Sequence, residues 1–73
     1  MSPEKAKYLA TVVNLFTWAV DLPVLTDRER SLARGVLLAA GTDTISAWGD
    51  ANRHRKDEFR AMLVKIKEQL NAA

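Results

Sequence analysis

Apolar residues recur along this chain at the three- and four-residue spacing of an α-helix, in three segments separated by residues that interrupt helices. No segment alternates apolar and polar residues as a half-buried β-strand does. The pattern therefore predicts an all-α protein, a small bundle of two to three helices that forms one domain over residues 1–73. The last helix is expected to be the longest, and dimerisation is expected to complete the bundle.

The first segment predicts a helix over residues 3–21 with a wide apolar surface. Ser2 can cap it, Pro3 suits its first position, and Glu4 favours the positive end of its dipole. Its apolar arc covers roughly 220°, whereas about 100° is typical of a surface helix. Two interpretations are open: a central helix of a small bundle, or an interface with a second copy or a partner, which so short a chain favours. The predicted dimer interface comprises Leu9, Val12, Val13, Phe16 and Val20, and a second apolar row beside it comprises Tyr8, Leu15, Trp18 and Leu22.

The second segment carries the most specific local signal in the chain. Pro23 interrupts the first helix because proline lacks an amide donor and disfavours helix in the residue before it. Thr26 and Glu29 have the spacing of a capping box, which predicts a helix over residues 27–40. The predicted core face comprises Leu32, Ala33, Val36, Leu37 and Ala40, and the small residues Gly35 and Ala39 would let another backbone approach closely.

The third segment, residues 42–70, is predicted to be a long helix that begins after a break. Its apolar face is displaced by roughly 100° from that of the second segment. One continuous helix over residues 27–70 is the alternative, but the displacement favours a break or bend near Gly41. Gly49 marks a weaker break candidate. The stripe on this segment comprises Ile45, Trp48, Asn52, Arg55, Phe59, Leu63, Ile66 and Leu70.

Composition limits how so small a protein can be stabilised. The 73 residues include no cysteine and one histidine, His54, which excludes disulfides, thiolate metal sites and histidine clusters. Oligomerisation is the remaining aid for a chain of this size. The lack of cysteine fits a cytoplasmic protein. The apolar run over residues 8–20 is too short for a bilayer and lacks a cleavage site, so neither a membrane span nor a signal peptide is expected.

The sequence also argues against catalysis. A nucleophile–base pair has little to be built from, because cysteine is absent and His54 stands among charged residues. The carboxylates Asp43, Asp50 and Asp57 fall on a face expected to be solvated, and no glycine-rich phosphate loop is present. A non-enzymatic protein without a cofactor is therefore predicted.

Four basic residues share one side of the third segment and form a basic stripe. Their spacings are three, four and seven residues, which place them on one face of a helix. Such a stripe could neutralise nucleic-acid phosphates or meet an acidic protein surface. The alternative is a solvated face, since Asp57 and Glu68 lie along its edge. The basic stripe comprises Arg53, Lys56, Arg60 and Lys67.

Tryptophan and arginine are enriched at interface hot spots, so Trp18, Trp48 and Arg55 are the predicted partner-binding residues. Trp48 has a second interpretation as a core residue. The first functional hypothesis is a helical binding protein that acts on another protein, as a regulator or inhibitor of the phage or plasmid type. The second is a DNA-binding regulator that uses the basic stripe, and the third is a structural subunit of a larger assembly.

Overall fold

The computed structural model describes residues 2–72, and in that range the chain forms four α-helices and no β-strand. Helix α1 spans Pro3–Ala19, α2 spans Asp27–Gly41, α3 spans Ile45–Ala51 and α4 spans Lys56–Ala72, and a 3-10 turn at Arg53–Arg55 joins the last two. The all-α prediction is confirmed for these residues. None of the helices described is long and apolar enough to cross a lipid bilayer.

Side-chain caps begin the first two helices at the predicted residues. Ser2 Oγ accepts a hydrogen bond from the Lys5 amide at 3.2 Å. Thr26 Oγ1 accepts one from the Glu29 amide at 3.1 Å, and Glu29 Oε1 accepts one from the Thr26 amide at 2.8 Å. These bonds satisfy amides that the first turn of a helix leaves without partners. The predicted capping box is therefore confirmed.

The predicted third segment is divided into two helices. Helix α2 ends at Gly41, which confirms the break there, and Asp43 follows in the left-handed backbone region with φ 55°. The α-helix is then interrupted at Asn52, just beyond the weaker candidate Gly49. Asn52 Nδ2 donates to the Trp48 carbonyl at 2.9 Å, and the Asn52 amide donates to the same carbonyl at 3.0 Å. A side chain that bonds to the carbonyl four residues earlier often bends a helix. This division corrects the prediction of one long C-terminal helix.

Helix α2 lies at the centre of the fold, with contacts to α1, to α3 and to α4. Its predicted core face is buried except for Leu37, which is partly buried. Leu22 and Leu25, in the connection between α1 and α2, are also buried. Burying a leucine side chain contributes about 1.5–3 kcal/mol, so this connection is part of the core. The buried core cluster comprises Phe16, Ala19, Leu22, Leu25, Leu32, Ala33, Val36, Met62 and Ile66.

The wide apolar arc of α1 is covered in large part by the chain itself. Two of the predicted dimer-interface residues, Leu9 and Phe16, are buried, and the other three are partly buried. On the second row, Tyr8 is 55% exposed and Trp18 is 40% exposed. A contact between copies through α1 would therefore use the second row more than the first.

An arginine of α2 holds the end of α1. Arg30 is partly buried, and its Nε donates to the Val20 carbonyl at 3.0 Å. Its Nη2 donates to the carbonyls of Leu22 and Leu25 at 2.8 and 3.4 Å. Carbonyls at the end of a helix lack partners within the helix, so one guanidinium fixes this connection against α2.

Candidate binding cleft

A half-open cleft of about 250 Å³ lies between α2, α3 and α4. Leu32, Trp48 and Phe59 form its apolar wall. The rings of Trp48 and Phe59 have centroids 5.8 Å apart and are tilted by 59°, within the range of favourable aromatic pairs. The volume is below that of most pockets for drug-sized ligands. The cleft is therefore the right size for one apolar side chain or a single ring.

Gly35 on α2 makes room for the Trp48 indole. A methyl group at this position would lie 2.6 Å from Trp48 Nε1 and 3.2 Å from Trp48 Cε2, closer than nonbonded atoms settle. The small residues of α2 predicted the close approach of another backbone, whereas the structure places an indole ring against Gly35. The glycine thus allows α3 to pack against α2 and form the wall of the cleft.

Polar and cationic groups near the turn between α3 and α4 form one edge of the cleft, where Asn52, Arg53 and Lys56 line it. Arg53 Nη2 lies 2.9 Å from a carboxylate oxygen of Asp50, but both side chains are largely exposed, so this pair competes only weakly with a ligand. Lys56 makes no ion pair within the described part of the chain. An apolar interior with two cations at its edge suits an apolar group that adjoins an anion.

A carboxylate between two arginines fixes the turn that carries these cations. Glu58 Oε2 accepts a hydrogen bond from Arg55 Nε at 2.6 Å, and Glu58 Oε1 accepts one from Arg28 Nε at 2.7 Å. The bond from Arg55, and then the bond from Arg28, lowers the pKa of Glu58 below its ordinary value. Because Arg28 belongs to α2, these bonds join the start of α4 to α2. Arg55, a predicted partner-binding residue, is therefore engaged within the protein.

Glu29 joins the start of α2 to α4 through a second contact. The residue is 7% exposed, and its Oε1 accepts a hydrogen bond from Lys65 Nζ at 2.6 Å as well as the capping bond from the Thr26 amide. Burial raises the pKa of Glu29, but the hydrogen bonds from Lys65 and Thr26 outweigh burial and lower it. The sequence pattern assigned Glu29 to the capping box alone.

We expect the free energy of unfolding to fall with acidification, because Glu29 and Glu58 have lower pKa values in the folded state. Their contribution is complete above the ordinary glutamate pKa of about 4.3 and is lost as the pH falls through the folded-state values. Glu29→Gln keeps an acceptor for the cap but removes the charge facing Lys65. It should cost about 1 kcal/mol at neutral pH and less in acid. Thermal unfolding followed by circular dichroism at a series of pH values measures both differences.

The control for this series is Glu68→Gln, since Glu68 is exposed on α4, the helix that carries Lys65, and makes no ion pair with another described residue. Its stability should follow that of the unsubstituted protein at every pH. A difference between Glu29→Gln and the unsubstituted protein that stays constant into acid would contradict the assigned role of the Glu29 charge.

The structure brings some of the predicted site residues together and separates others. Trp48 and half of the basic stripe, Arg53 and Lys56, meet at the cleft. The other half of the stripe is exposed farther along α4, and Trp18 on α1 does not line the cleft. Gly35, which shapes the cleft, had been singled out only for its size, because the sequence does not show which ring packs against it.

Neither a metal-binding group nor a similarity to other proteins points to the function. Over residues 2–72, no group of three or more histidine, cysteine, aspartate or glutamate residues could hold a metal ion. Comparisons with protein-family models, curated proteins and solved structures found no significant match. The functional assignment therefore rests on the cleft and the basic stripe.

Proposed function

We propose that this is a small non-enzymatic binding protein that captures an apolar, acidic segment of another protein. An apolar side chain of the partner would enter beside Trp48 and Phe59, and a neighbouring carboxylate would meet Arg53 or Lys56. The observation that carries the proposal is the apolar cleft edged by two cations. By occupying a surface of its partner, the protein would act as a regulator or inhibitor of the phage or plasmid type.

Two further properties belong to this proposal. Pairing with a second copy is supported by the exposure of Tyr8 and Trp18 on α1 and by the small core that a chain of this length can build. A cytoplasmic location is supported by the lack of cysteine.

A selection from displayed random peptide segments tests the proposed function. We expect the recovered segments to be rich in apolar and acidic residues, because both features of the cleft must be matched. The double variant Arg53→Glu, Lys56→Glu should weaken their binding at least about tenfold, as truncation or reversal of hot-spot residues does. Calorimetric titration of the recovered segments measures the change.

The matched control reverses two exposed cations elsewhere, Lys7→Glu with Arg34→Glu, and changes the net charge by the same amount. It should bind the segments as the unsubstituted protein does. Equal weakening in both double variants would attribute binding to net charge and contradict a role for the cleft.

DNA binding by the basic stripe is the competing function. Three phosphate contacts would give a log–log salt dependence with a slope of roughly −2.7 on duplex DNA, because each neutralised phosphate releases counterions. The short stripe and the Arg53–Asp50 pair favour a protein partner. Tight, salt-sensitive duplex binding that is lost when Arg53, Lys56 and Arg60 are all changed to glutamate would overturn the proposed function.

A further inference from the structure

The apolar wall of the cleft continues along the outer side of α4. Leu63 is 39% exposed and Leu70 is 49% exposed, although both belong to a helix that buries Met62 and Ile66 on its inner side. Together with Phe59 in the cleft, these leucines follow one line along the helix, at spacings of four and seven residues. At 1.5 Å per residue the line is about 16 Å long. This row of α4 lies beside the row of buried residues on the same helix.

A row of cations runs parallel to these leucines. Arg60 and Lys67 are seven residues apart, and each precedes one of the leucines by three, which places it next to that leucine on the helix surface. Both are exposed, and neither makes an ion pair within the range the structure describes. The two rows resemble one half of a coiled-coil interface, in which charged residues flank the apolar residues and determine partner specificity.

We infer that the segment captured by the cleft is an acidic amphipathic α-helix that lies along α4, an inference that rests on the proposed protein-binding function. One apolar side chain of this helix would fill the cleft beside Phe59. Its next apolar residues would pack on Leu63 and Leu70, and its flanking carboxylates would face Arg60 and Lys67. An amphipathic helix held by spaced apolar anchors is a recurrent mode of peptide recognition.

The spacing on α4 favours a helix over an extended strand. Leu63 and Leu70 are about 10.5 Å apart along the axis, the distance covered by two helical turns. A partner helix repeats its apolar side chains at the same interval. An extended strand presents side chains on one face about every 6.4–6.8 Å and would not match both leucines.

Charge decides against a second copy of this chain as the occupant. Two copies of α4 would bring their cationic rows together. The exposed acids of the chain are scattered over its elements, and the net charge is +2. Asp57 and Glu68 lie on the side of the cations that faces away from the leucines. In a second copy they would therefore not form a row of carboxylates facing these cations.

A synthetic peptide of three heptads, with leucine at the a and d positions and glutamate at e and g, is the probe. Its glutamates repel one another and disfavour pairing of the peptide with itself. We expect binding to the full-length protein with a gain of helical circular dichroism. A central proline, which breaks helices, should abolish binding, as should replacement of all the glutamates by lysine. A peptide of the same composition with strict apolar–polar alternation should not bind.

Two double variants test the contact surface: Leu63→Ser with Leu70→Ser, and Arg60→Glu with Lys67→Glu. Each should weaken binding of the acidic helical peptide at least about tenfold. The matched control is Val64→Ser, because Val64 is 52% exposed on the same helix but about 100° away from Leu63. It should leave the affinity unchanged. Circular dichroism shows that each variant remains folded.

The outcomes separate this inference from the proposed function. Equal binding of the proline-containing or alternating peptide, or no effect of either double variant, would overturn the helical partner. Selected peptide segments that still require Arg53 and Lys56 would then leave the proposed function standing. If neither selected segments nor the designed peptide bind, both proposals are wrong. Binding to vesicles that contain anionic lipid, with none to the acidic peptide, would also overturn the inference and would assign the surface to a membrane.

Discussion

Replacing Arg30 by methionine should lower the free energy of unfolding by about 3 kcal/mol. Methionine keeps much of the apolar stem but loses the guanidinium, which donates to the carbonyls of Val20, Leu22 and Leu25. The Leu22 carbonyl would keep the hydrogen bond from the Leu25 amide, but the other two carbonyls would lose a charged donor near the point where α1 ends. An unmet acceptor costs the free energy of removing it from water. For a domain of this size, the midpoint of thermal unfolding should fall by more than about 10 °C.

The matched control is Arg34→Met. Arg34 lies one helical turn after Arg30 on α2, is exposed, and makes no hydrogen bond or ion pair to another side chain within the described residues. Its replacement should change the stability by less than about 0.5 kcal/mol, as is usual at the surface. Similar losses in the two variants would show that the carbonyl contacts of Arg30 contribute little.

Gly35→Ala and Gly49→Ala should change the stability in opposite directions. A methyl group at Gly35 would meet the Trp48 indole at 2.6 Å, whereas nothing lies within 4 Å of one at Gly49. Overfilling a packed site costs about 1–3 kcal/mol, while alanine in place of glycine inside a helix gains about 1 kcal/mol. Gly35 also lies inside a helix, so the gain applies to both variants and only the cost of overfilling separates them. Denaturant unfolding should therefore separate the two variants by about 1–3 kcal/mol, with Gly49→Ala the more stable.

The Gly35→Ala variant also tests the cleft. Displacement of Trp48 should break its contact with Phe59, change tryptophan fluorescence, and remove the wall against which an apolar side chain packs. Binding of selected peptide segments should be lost in Gly35→Ala and kept in Gly41→Ala, because Gly41 does not line the cleft and nothing lies within 4 Å of a methyl group there. If the fluorescence and the binding of the two variants match, Trp48 does not depend on Gly35 for its position.

Features of the fold that arise from neighbouring residues could be predicted from the sequence, and features that arise from distant ones could not. The spacing of Thr26 and Glu29 predicts a capping box, because both partners lie within one helical turn. Arg30 gave no such signal, since its acceptors belong to an irregular connection. Leu22 was assigned to the second apolar row of the first helix, whereas it lies in the connection after α1. The burial of Leu25 was missed for a related reason, because residues outside a helix show no helical periodicity.

The candidate site could likewise be predicted only where it depends on neighbouring residues. The basic stripe and the aromatic residues were visible as spacings along one segment, but the cleft exists because that segment is divided at Asn52. The division brings Trp48 and Phe59 to face one another across the turn, and it places Arg53 and Lys56 at the edge. In a single straight helix these residues would lie along the helix axis and would not enclose a cleft. Which of them meet therefore depended on where the helix breaks, and the hydrogen bond of Asn52 to Trp48 was not predicted.

The two contacts of Glu29 couple the local unfolding of α2 to that of α4. The same carboxylate closes the first turn of α2 and holds Lys65 of α4, so fraying at the start of α2 also weakens the attachment of α4. These two helices should open together as one cooperative unit. Helix α3 buries no residue and has no side-chain cap. It is attached mainly by Ile45 and Trp48, which pack against the core, so the wall of the cleft can move while the unit beneath it stays folded.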